Sequence, residues 1–411
     1  MDSYTHIRIH AYIVFVELSF MKVVIATDSF KGTLTAYEAC QIIADAISES
    51  VPDIQLVIKP MADGGEGTAE AMIKAANGRW VPQTVMGPLP DMQVEAGFAW
   101  FDDDRTALVE MASASGLELL STDQMNPLKT TTYGTGQLIK AALEYGARKI
   151  LLAVGGSATV DGGIGAAMAL GWKFLDYQDN SVPLGGAGLE KITKIVRPDP
   201  ALPLRCNEGQ LVPVEVLCDV DNLLCGEHGA AKVYAPQKGA TPEMVEQLEK
   251  GLAHLADLVR RQLQRDIDVP GSGAAGGLAA GAMAFMDATI VSGIETVMAR
   301  SNIRAELEAA DWVITGEGSF DRQSLYGKVV SGILTMASKS HTRLAVLAGQ
   351  VNIPQHEFQK IGIAAAISSR QDNMSLDYAL ENSRALLHSA AQRFAKQYLS
   401  RLGRAKTGLS Q

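Results

Sequence analysis

The chain has little cysteine, few aromatics and no long apolar run. Four of its 411 residues are cysteine: Cys40, Cys206, Cys218 and Cys225. None forms a CxxC pair, which argues against a disulfide framework and predicts reduced thiols in a cytoplasmic protein. Cys218, Cys225 and nearby His228 match no zinc spacing and have no fourth ligand beside them. No stretch of about 18 clean apolar residues occurs, so no membrane partner is expected. Runs of Lys or Arg are also missing and the net charge is −10, which excludes a nucleic acid as the expected partner. No fixed-period repeat appears, and solenoids and collagen are excluded with it. What the chain does have is glycine, 39 residues in short clusters after apolar runs. That is the pattern of loops brought close to a ligand.

The length predicts two domains, or three, at roughly 100–200 residues each. In residues 1–20 the apolar stretch Ala11–Val16 is short and leads into Glu17 with no cleavage site. A strand begins at once with MKVVIATDS, so Met21 is the expected start and residues 1–20 an upstream extension. Lys22–Ala26 reads as a strand, Ala36–Ser50 as a helix capped by Thr35, and Gln55–Pro60 as a second strand. DGGEGT (63–68) then opens a helix over about 69–76. The same rhythm returns at Asp311–Thr315, Gly327–Ser340, Leu344–Ala348 and Ile363–Ile367, with a closing helix over Leu376–Leu399. Two early and three late strands predict an α/β, flavodoxin-like, doubly wound parallel sheet of order 2-1-3-4-5, formed by residues 21–77 plus 288–400. Residues 78–287 then form a second, mixed α/β domain inserted into the first. It begins with a meander over Val81–Glu110 and carries a buried strand at Ile150–Val154, an amphipathic helix over Thr241–Arg265 and GSGAAGG (271–277).

In an open α/β sheet, ligands bind beyond the carboxyl ends of the strands. Asp28, Ser29 and Lys31 leave strand 1; Asp63, Gly64, Gly65 and Glu66 leave strand 2; Glu317 and Asp321 leave strand 3. Five carboxylates and a lysine at one crevice are the mixture that phosphoryl transfer needs: donors for phosphate oxygens, acids for Mg²⁺ and a base for the attacking hydroxyl. Asp63 could instead cap the helix that follows. Gly155, Gly156, Ser157 and Thr159 form a loop too small-sided to fill a core, and Asp161 either reaches a ligand or sits as an acid on a helix's first turn. Gly276 and Gly277 either cover a nucleotide or permit close packing. Asp219, in CDVDN, ends an apolar strand or makes a surface turn. Lys238, in PQKG, either holds a phosphate or is solvated. A dinucleotide oxidoreductase would need GxGxxG after the first strand, where ATDSFKGT stands instead. A non-catalytic binding protein for a hydroxy acid would not need so many acids at strand ends.

Nine motifs in order carry a resemblance: MKVVIATDSFKGTLTA, PMADGGEGT, EMASASGLEL, NPLKTTTYGTGQLI, GGSATVDGGIG, CDVDN, YAPQKGAT, GSGAAGG and WVITGEGSFD. From Met21 to about residue 400 the chain resembles the type I bacterial glycerate kinases. The resemblance implies ATP and Mg²⁺ as cofactors, with the metal held mainly through ATP. It implies D-glycerate as acceptor in a cleft between two domains, and 2-phosphoglycerate as product. The alternatives are 3-phosphoglycerate or a related small hydroxy acid as acceptor. A monomer or homodimer is expected, with Asp219 as the base and Asp321 and Asp28 as its rivals. The chain departs from the family pattern at Thr27 and Leu223, where proline is usual, and at Ser319-Phe320, where Arg-Ile is common. No carboxylate is lost by these departures.

Overall fold

The computed structural model describes residues 21–198, 204, 209, 211–326 and 328–400. Residues 1–20 and Cys206, about which the sequence raised expectations, lie outside them.

Eleven strands build the two main sheets. In chain order they are β1 (Met21–Ile25), β2 (Ile54–Ile58), β3 (Arg79–Met86), β4 (Gln93–Phe101), β5 (Thr106–Glu110), β6 (Lys149–Ala153), β7 (Val214–Leu217), β8 (Thr289–Val291), β9 (Trp312–Thr315), β10 (Arg343–Ala348) and β11 (Ile363–Ser368). The first sheet runs β11-β10-β9-β1-β2, and every pairing in it is parallel. The second runs β8-β7-β6-β5-β4-β3. Its β5 to β8 are parallel, while β3 and β4 form the antiparallel meander. The second sheet reaches beyond residue 287, because β8 hydrogen-bonds to β7.

Alternation along the buried strands decides which core each side chain enters. On β1, Val23 and Ile25 face α1 (Ala36–Ser50) on the outer side. Val24 faces the opposite way. It joins a core that also holds Met72 of α2 (Thr68–Ala76) and Leu108, Leu151 and Leu217 of the second sheet. The next residues on those second-sheet strands, Val109, Leu152 and Val216, turn away. They pack under α3 (Tyr133–Tyr145) and α4 (Ala274–Met286). The helix α5 (Gly293–Arg300) supplies Ile294, Val297 and Met298 to the core that lies between the sheets. One helical layer therefore packs against both sheets. The helix expected as a single rod over 376–399 is broken at Asn382. Leu376–Glu381 precedes the break, and Ser383–Phe394 follows it and passes into a π-helical turn.

Candidate active site

The strand ends of the two sheets meet. Asp28 N donates to Gly316 O at 2.9 Å and Met61 N to Thr27 O at 2.9 Å, which laces together the loops after β1, β2 and β9. Across the gap, Gly155 N donates to Gly64 O at 3.4 Å. A Cβ on Gly155 would collide with the Gly65 backbone. A Cβ on Gly64 (φ +87°) would lie 2.9 Å from Leu217 O. These glycines let DGGEGT touch GGSAT and β7, so their first effect is to join the two sheets.

Carboxylates collect along this seam. Asp28 is half-buried, and Ser29 N donates to its Oδ1 at 2.6 Å. Burial pushes its pKa up to about 7, Asp63 and Glu317 add to the rise, and Lys31 opposes it. Glu317 is also raised, chiefly by burial, and its Oε1 is sealed from solvent with no hydrogen-bond partner. Asp63 does not cap α2. Its Oδ1 accepts from Gly65 N at 3.1 Å, which withdraws that N–H from any substrate. The helix is capped from the other sheet, by Glu110 at the end of β5, which accepts from Gly67 N at 2.5 Å and Ala69 N at 3.1 Å. Burial lifts the Glu110 carboxyl to about 7. The sequence reading did not single out Glu110, although it ends an apolar strand as Asp219 does. Glu66 lies exposed beside Gly156, its pKa raised by burial and by Glu118. Lys31 is the exposed cation of the group.

Other expected residues are placed differently. Asp219 lies at the seam, but both of its oxygens are engaged. Oδ1 accepts from Ser292 Oγ at 2.8 Å and Gly293 N at 3.1 Å, and Oδ2 from Ile294 N at 2.9 Å. It therefore closes the N-terminus of α5. Asp321 caps the turn Arg322–Leu325 through Gln323 N at 2.8 Å. Asp161 is turned into the protein. It is fully buried and held by Thr132 N at 2.8 Å, Gly163 N at 3.0 Å and the Thr132 hydroxyl. Thr159 is fully buried as well, and its Oγ1 has no partner. Gly276 and Gly277 are buried with positive φ; their missing side chains admit the backbone at Thr159 and the Leu224 side chain. They serve close packing. Lys238 is neither solvated nor in the cleft: its Nζ donates to Ser157 Oγ at 2.7 Å and Thr159 O at 2.8 Å.

A hard cation such as Mg²⁺ takes oxygen ligands and keeps several waters. The unsatisfied Glu317 Oε1 suits it, with Asp63 nearby. Among the described residues no three His, Cys, Asp or Glu side chains converge into a metal cage. Such a cation would draw most of its ligands from phosphate and water. Among the described residues no helix is long and apolar enough to cross a membrane.

The comparisons agree on one family. Its profile, the glycerate kinase family, matches residues 23–399. The chain is 42% identical over 366 residues to the glycerate 2-kinase of Escherichia coli, covering 88% of this chain and 94% of that one. It is 41% identical over 376 residues to the glycerate kinase of Halalkalibacterium halodurans, covering 91% and 97%. A crystal structure titled as a glycerate kinase 2 from Salmonella typhimurium superposes with a TM-score of 0.79 at 40% identity, covering 93% of this chain and 100% of that one. With its α/β sheets and the acid-lined seam between them, this chain belongs to the glycerate kinase family of phosphate-transferring enzymes.

Proposed function

We propose that the chain transfers the terminal phosphoryl group of ATP to D-glycerate and releases 2-phosphoglycerate and ADP. The observation that carries this reading is the seam itself, where half-buried acids and Lys31 face glycine loops from two sheets. We read residues 21–77 and the returning C-terminal chain as a flavodoxin-like unit, with the second sheet inserted into it. Asp28 is the base in this reading. It is half-buried, its pKa lies close to neutral, and Ser29 N engages only its Oδ1. Asp219, the base expected from the sequence, serves as a helix cap. Asp28 takes the proton of the attacking hydroxyl as that oxygen bonds to phosphorus, and the electron pair of the broken P–O bond leaves on ADP. Lys31 and the Ser157 side of the GGSAT loop receive the acceptor's carboxylate. Glu317 and Asp63 would help hold a Mg²⁺ that arrives with ATP, and a bound ion would supply charge neutralisation at the phosphates. The working unit is a monomer or homodimer in this reading, and the free Cys40 and Cys218 thiols support a cytoplasmic location.

The test is a coupled ADP-release assay on D-glycerate, L-glycerate and related hydroxy acids, with the product's phosphate position read by NMR. ADP release that requires D-glycerate, with phosphorus on the 2-oxygen, is expected. Phosphorus on the 3-oxygen would replace the product. No release with any hydroxy acid would remove the activity.

A further inference from the structure

Behind the GGSAT loop lies a buried lysine. Lys238 ends the short turn Pro236–Lys238 and is 2% exposed. An ammonium has only donors. While Lys238 is charged, Ser157 Oγ therefore accepts from it, and the hydroxyl's own proton points elsewhere. Among the described residues that hydroxyl finds no acceptor. Ser157 follows the exposed Gly156, and Gly155 abuts the DGGEGT loop, so Ser157 stands at the seam. The second Lys238 bond, to Thr159 O, ties down the far side of the same loop.

We infer that Lys238 is a positioning residue that never touches substrate: from behind the loop it orients Ser157 Oγ–H as a donor to an oxyanion bound on the cleft side. The inference rests on the phosphoryl-transfer reading, which supplies the oxyanion as either the acceptor's carboxylate or a nucleotide phosphate. A hydroxyl polarised by a cation is a stronger donor than a neutral one. Burial pushes Lys238 down to about 7, and the Asp161 carboxylate, from the segment after GGSAT, partly opposes this. Near neutral pH a fraction of Lys238 is thus unprotonated. An anion against Ser157 favours the charged lysine, so binding draws a proton from solution.

The test is titration calorimetry of D-glycerate and, separately, of ADP at pH 7.5, in two buffers of different ionisation enthalpy. Asp28 and Glu110 also titrate near 7, so the readout is the difference between proteins. Wild type is expected to take up a fraction of a proton. Lys238→Met should lose that uptake and bind roughly 10–100-fold more weakly, raising KM while kcat is held. Ser157→Ala should behave alike, and the double variant should lose no more than either. Weakening confined to D-glycerate identifies the anion as the carboxylate, and weakening confined to ADP as a phosphate; both support the role. Unchanged affinity and proton uptake in a folded Lys238→Met protein would overturn it. If that variant does not fold, Ser157→Ala decides in the same way. Failure of the wild-type protein to bind D-glycerate would instead overturn the functional reading, and the inference with it.

Discussion

A carboxylate at a strand end can be a base or a structural acceptor, and its partners decide which. Asp28 has its pKa at about 7, whereas Asp219 accepts three hydrogen bonds from the start of α5. Asp28→Asn is therefore expected to cut kcat by roughly 10²–10⁴. In wild type, kcat should rise with pH through about 7, as Asp28 loses its proton. Stability has the opposite sign. A folded-state pKa raised above the ordinary 3.8 means that stability is fullest below 3.8 and is lost as pH rises through about 7. Asp28→Asn should thus be more stable than wild type at pH 8, and the gap should close toward pH 4. Rate profiles and urea titrations at both pH values check this. A variant with near-normal kcat would remove Asp28 as the base. The positions of these acids were legible because each follows an apolar strand. Which oxygens are free was not, since the donors to Asp219 lie more than 70 residues onward in the chain, at Ser292–Ile294. For the same reason the sequence left Asp161, Gly276 and Gly277 open between ligand contact and a structural role, and all three prove buried.

Local signals placed the elements well where the cap is local. Thr35 and Glu38 form a capping box, and α1 begins where the sequence predicts. The start of α2 was legible to within one residue, but its cap was not, because the cap is remote: Glu110 reaches it from the second sheet. Removing that carboxylate leaves the half-buried Gly67 N–H and the buried Ala69 N–H without this acceptor. Glu110→Ala should cost on the order of 1–3 kcal/mol, and Glu110→Gln less, because an amide oxygen still accepts. Urea midpoints at pH 8 measure both. Since burial raises Glu110 to about 7, its own contribution to stability weakens as pH climbs from about 5 to 8. The wild-type loss over that interval should shrink in Glu110→Gln. Equal midpoints for all three proteins would mean that α2 does not depend on this cap.

The parallel strand pattern announced two sheets, but not that they share a core. Periodicity identifies the buried face of a strand without naming what covers it. Here Val24 and Val313 of the first sheet, Leu151 and Leu217 of the second, and Ile294 and Val297 of α5 occupy one cluster. Glu110 and Asp219, on second-sheet strand ends, cap helices within that same layer. A hinge that separated the sheets would expose this apolar surface, so ligand-driven motion belongs to the loops along the seam. The same packing couples the two sheets in unfolding. Calorimetry and urea titration followed by two probes should show one transition, not one per sheet. Leu217→Ala, at the boundary between the sheets, should destabilise by about 2–5 kcal/mol and shift that transition without splitting it. Two separated transitions in the wild type, with only one moved by Leu217→Ala, would mean that the shared layer does not bind the sheets into one cooperative unit.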